Sequence, residues 1–124
     1  DVPDLAHNDG SIVARLVYGK TSVLLTGDST QNIEKYLVSL DPTSLDSDIL
    51  KVGHHGSKTS TSQELVKAVT PGVALISAGK NNSYGHPNQE ILDTLNKYKV
   101  PYLVTFNEGL IEYDSDGINF VRVK

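Results

Sequence analysis

The 124-residue sequence contains no cysteine and no methionine. The first absence rules out disulfides, thiolate metal sites and cysteine nucleophiles. Asp1 to Asn8, with no basic start and no apolar stretch, does not read as a signal peptide, and the lack of Met leaves an opening that reads as the middle of something. The chain therefore reads as a piece of a longer one. No apolar run approaches the roughly 20 residues that cross a bilayer. The net charge of −4 gives no overall basic field for a polyanion, which leaves room only for a local phosphate site. There is no internal repeat, no Gly-x-Ser-x-Gly elbow, no P-loop and no dinucleotide fingerprint.

What is present alternates. Ser11 to Tyr18 and Ser22 to Leu25 are apolar, β-branched runs around Gly19-Lys20, which predicts a β-hairpin. Ile33, Tyr36, Leu37 and Leu40 recur on one helical face, and Asp41-Pro42 ends that helix. Ile49 to Val52 predicts a buried strand. Thr61 with Glu64 predicts a capping box for a second helix with Leu65, Ala68 and Val69 on its inner face. Val73 to Ser77 is a further strand. Pro87 suits the first position of a third helix carrying Ile91, Leu92, Leu95 and Tyr98. Pro101 to Phe106 reads as a strand. Leu110 to Tyr113 and Ile118 to Val123 flank Asp116-Gly117 as a second hairpin. The order ββ-α-β-α-β-α-β-ββ defines an α/β layered domain. Its strands are apolar throughout, so both sheet faces need cover. Three helices cover one face, and the other calls for a further layer. A single domain spans 1–124, with residues 1–9 as a tail that includes an incidental His7.

Three polar clusters follow strands, where α/β proteins place their sites. Thr26-Gly27-Asp28 offers either a metal-binding carboxylate or an acid that favours the following helix N-terminus. Gly53-His54-His55-Gly56-Ser57-Lys58 offers a metal-binding imidazole, an orienting one, and a hydroxyl and cation suited to phosphate; the bland alternative is a surface loop. Asn81 to Pro87 places His86 just before a helix, as acid, base or phosphate contact, or as an incidental loop residue.

The ordered string Asn8-Asp9-x-Ser11, LLTGD at 24–28, LKVGHHGSKTS at 50–60 and ISAGKNNSYGHP at 76–87 resembles the C-terminal half of the metallo-β-lactamase-like domain of ComEC-type DNA-internalisation proteins and their stand-alone soluble relatives. The resemblance implies half of an αββα sandwich, with a mixed sheet carrying about three helices on one face. It implies a site for two divalent ions, Zn or Mn, between two sheets. Asp28 matches the bridging aspartate. His55 matches the last metal-binding histidine, with His54 as the alternative. Lys58 and His86 match catalytic positions, and Ser57, Asn82 and Tyr84 a substrate-facing rim. The implied activity is metal-dependent phosphodiester hydrolysis, with DNA as substrate. The upstream HxHxDH motif of that family has no counterpart in this sequence. The expected partners are therefore the missing N-terminal half or a second copy docked on the open sheet face. The resemblance places such domains both on membrane channels and in soluble enzymes. The rival expectation is a non-catalytic interaction or phosphate-binding module that dimerises through that face.

Overall fold

The computed structural model describes residues 7–124. The expected order of strands and major helices is present. β1 (Ala14–Tyr18) and β2 (Thr21–Leu25) form the first hairpin. α1 (Gln31–Leu40), β3 (Ile49–Lys51), α2 (Gln63–Val69), β4 (Val73–Ile76), α3 (Gln89–Lys97) and β5 (Tyr102–Val104) follow. A short α4 (Thr105–Glu108) precedes the second hairpin, β6 (Tyr113–Ser115) and β7 (Phe120–Arg122). The five-stranded sheet has the order β1-β2-β3-β4-β5, antiparallel at β1–β2 and parallel beyond.

Period-two alternation decides which side chains meet the helices. Leu24, Leu50, Val52, Ala74, Ile76 and Val104 enter one core with Leu65, Val66 and Val69 of α2 and Ile91 and Leu95 of α3. Full burial of each large aliphatic side chain contributes about 1.5–3 kcal/mol.

The opposite face is half covered from within the chain. Lys20 N–H donates to the Gly117 carbonyl at 2.7 Å, and the Thr21 and Ser115 hydroxyls share a 2.7 Å hydrogen bond. This seats the β6–β7 hairpin over Ile49, which is 3% exposed. An apolar cleft of about 320 Å³ remains beside it, bounded by Leu16, Val23 and Leu75 on the sheet and Tyr113 and Phe120 on the hairpin. Further along the same face Leu16 and Leu25 stay exposed.

Several local expectations are corrected. On α1 the inward face carries Glu34, Leu37 and Val38, while Tyr36 and Leu40 point to solvent. The helix is turned to bury a carboxylate that binds the loop before α2. The α2 cap is Ser62, whose hydroxyl accepts from Leu65 N–H, and not Thr61. Thr61 is diverted by that same carboxylate. Asn88, not Pro87, precedes α3, and Pro87 stands outside the helix in a cis peptide bond. β5 ends at Val104 because the Thr105 hydroxyl bonds both backbone groups of Ala78 at 3.0 Å and starts a helical turn. Of the expected tail, residues 1–6 lie outside the described residues. His7–Gly10 is a 3-10 turn, and the Thr30 hydroxyl donates to Asp9.

Candidate metal and phosphate site

The carboxyl ends of β2, β3 and β4 lie side by side, and each opens into one of the three polar clusters. The first two are tied by the His54 N–H, which donates to the Gly27 carbonyl at 3.0 Å. The second and third are tied at Gly56. Its carbonyl accepts from Asn88 N–H at 2.9 Å, and Pro87 fills the space where a Gly56 Cβ would lie.

His54 and His55 both adopt left-handed backbone angles, φ +46° and +57°. Two consecutive residues of this kind reverse the chain tightly and throw both rings out on the site side. The His55 Nδ1 lies 2.7 Å from the Ser77 carbonyl. A carbonyl only accepts, so Nδ1 carries the proton and Nε2 keeps a free lone pair, the arrangement of an oriented metal ligand. The His54 ring lies 6.3 Å from that of His55 and 5.8 Å from that of His86. Tyr84 stacks on His86 at 5.4 Å and is mostly exposed. Loss of water lowers the His86 pKa from its ordinary value, and His54 and His55 lower it further. Both effects favour the neutral imidazole of His86.

His54, His55, His86 and Tyr84 therefore form a run of neighbouring rings, with Asp28 just past the end of the adjoining β2. The other expected side chains are engaged elsewhere. The Ser57 hydroxyl is buried and bonded to Thr59 at 2.9 Å. Lys58 lines a polar groove of about 680 Å³ between the helices, with Gln31, Glu64 and Lys97. Asn82 bonds the backbone of its own loop three times, at Gly79 and at both polar groups of His86.

Sequence reading missed Lys51. It interrupts an apolar strand, and that interruption was the available signal. In register with Leu25 and Leu75, it sits on the face away from the helices, with Nζ donating to the Val52 carbonyl at 3.0 Å. Burial lowers its pKa, and the charge of Asp28 opposes that. Because the folded value lies below 10.5, stability rises with pH from the folded value up to 10.5, and the contribution is lost as pH falls. Lys51→Met should therefore add roughly 0.5 kcal/mol at neutral pH, because the ammonium remains partly in water. It should also remove that alkaline gain, both read by urea denaturation at several pH values. A destabilised Lys51→Met would show that the ammonium is fully satisfied where it sits.

Asp28 and His55 are donors of the right chemistry for a divalent ion. Among the described residues, however, no group of three or more His, Cys, Asp or Glu side chains is placed to hold one. A divalent ion takes four to six ligands. The set present here is partial.

Residues 5–80 match the model of the metallo-beta-lactamase superfamily, and the chain belongs to that superfamily. It is 41% identical over 114 residues, 91% of its length, to ComE operon protein 3 of Bacillus subtilis (strain 168). It is 44% identical over 94 residues, 76% of its length, to Recombination protein 2 of Haemophilus influenzae. Against Competence protein ComA of Neisseria gonorrhoeae the figures are 35%, 110 residues and 89%. The chain spans only 15%, 12% and 16% of those relatives' lengths, respectively. No described helix is long and apolar enough to cross a membrane.

Proposed function

We propose that this chain supplies the C-terminal half of a metal-dependent phosphodiesterase site that acts on DNA. The observation that carries the reading is that Asp28, His55 and His86 lie on loops that follow the carboxyl ends of three successive parallel strands, with the His55 Nε2 left free by the Ser77 carbonyl. Asp28 and His55 would contribute ligands, and the remaining ligands would come from a second polypeptide segment. The ions would activate water and neutralise phosphate charge. Within this chain, Asn82 fixes the backbone of His86, Tyr84 stacks on its ring, and His86 exchanges the proton of an attacking or leaving oxygen. Lys51 lends positive charge beneath Asp28.

The open half of the sheet face, with Leu16 and Leu25 exposed, supports docking of the second layer there. It equally fits the rival reading of a module that pairs through this face.

The decisive test fuses this chain behind an HxHxDH-bearing half-domain from the same superfamily. Metal content and turnover of a generic phosphodiester and of DNA are then measured, with Asp28→Ala as control. Bound Zn or Mn with turnover that the mutation abolishes is the expected result. Metal-loaded, folded protein whose turnover is absent or indifferent to Asp28 would refute the hydrolase reading and leave the interaction module.

A further inference from the structure

The side chain of Glu34 is fully buried on α1, and no cation pairs with it among the described residues. A buried carboxylate without a counter-ion is costly. It persists where it does what no neutral side chain can do. Here its two oxygens accept two consecutive amides, Thr61 N–H and Ser62 N–H, each at 2.7 Å. A carboxylate presents two acceptors side by side, whereas an amide would turn a donor towards one of those N–H groups. The bonds have consequences along the chain. Thr61 is held at φ +56°, unfavourable for a β-branched residue. Its hydroxyl then accepts from Gly53 N–H at 3.1 Å, the residue that opens the His54-His55 turn.

The same helix begins three residues after Asp28. Gln31 at its start binds the carbonyls of Lys58, Thr59 and Ser60, and the Ser60 hydroxyl donates to the Ser29 carbonyl at 2.6 Å. Two neighbouring buried hydroxyls, Thr26 and Ser29, have no protein partner among the described residues and add nothing to this attachment. Besides the direct bond from His54 N–H to the Gly27 carbonyl, a buried route from the Asp28 loop to the histidine turn runs through Glu34, Thr61 and Gly53.

We propose that Glu34 is a positioning residue of the site, reinforcing the direct His54–Gly27 bond by setting the histidine turn against the Asp28 loop through Thr61 and Gly53. The proposal rests on the reading that Asp28 and His55 act together, but its test does not. Native-state hydrogen exchange and histidine ring NMR are measured on the metal-free full chain. The variants are Glu34→Gln, Thr61→Val and, as a control of general destabilisation, Leu95→Ala. Glu34→Gln should speed exchange at Gly53, Thr61 and Ser62 at least tenfold beyond the control at equal folded fraction, and shift the His55 ring signals. Thr61→Val, which keeps the carboxylate and removes only the relay, should do so at Gly53 while Ser62 stays protected. It also serves alone if Glu34→Gln does not fold. Exchange at Gly53 and His55 signals that match the Leu95→Ala control would overturn the proposal. A positive result beside an inactive fused domain would sink the hydrolase reading alone.

Discussion

Gly56→Ala is expected to lower stability by about 3 kcal/mol. Gly56 has φ +85°, where an L side chain is strained by about 1–2 kcal/mol. A Cβ built there would lie 2.5 Å from the Pro87 Cβ and 2.8 Å from its Cα. Neither atom can move freely, because Asn88 just beyond is bonded to the Gly56 carbonyl and to Lys58 N–H. The overlap adds about 1–3 kcal/mol. For a domain of this size that corresponds to a fall of about 10 °C in Tm. Gly79→Ala is the matched control, since nothing lies within 4 Å of its built Cβ and its φ is ordinary. It should change Tm by no more than about 2 °C, as exposed loop substitutions do. Thermal unfolding of the two variants decides the matter. Equal melting would mean that the histidine turn and the His86 loop are not locked together at this contact.

His55 should separate function from stability. Both His55→Ala and His55→Gly remove the Nε2 lone pair and the bond to Ser77, so both should cut turnover of the fused domain at least a hundredfold, beyond the 10–100-fold typical of outer-shell losses. Their stabilities should differ. At φ +57° glycine is at ease and alanine is not, so the glycine variant should be more stable by about 1 kcal/mol in urea denaturation. The same ordering should hold at His54, where φ is +46°. An alanine variant as stable as the glycine one would mean that the turn relaxes to ordinary angles once the ring is gone. The expected ordering would show that the imidazoles are kept there against the preference of the backbone.

The succession of strands and major helices was legible because the apolar runs are short, β-branched and separated by strong turn residues. The three polar clusters after strands were legible for a related reason: Gly-flanked histidines and an Asp after a strand are rare enough to be noticed. What escaped was set by contacts across the fold. The α1 face was misread because a carboxylate counts as polar in any periodic pattern, and Glu34 is buried only because two amides 27 and 28 residues away need it. The Thr61 cap failed for the same reason. Ser57 and Asn82 were expected at a rim, yet their polar groups are taken up by their own loops, which residue type alone does not reveal. Lys51 was passed over because a three-residue strand is too short for one lysine to mark a face.

Strand order in the sheet equals strand order in the chain, β1 to β5, without a single jump. Each parallel crossover joins immediate neighbours, so contacts accumulate locally and a growing chain can add one βα unit at a time to an existing edge. The chemistry follows a different clock. Asp28 arrives with the second strand and the paired histidines with the third, but the carbonyl that orients His55 belongs to Ser77, just past the fourth. His86 comes later still. A nascent chain would thus have most of its sheet in place before it could present an oriented His55.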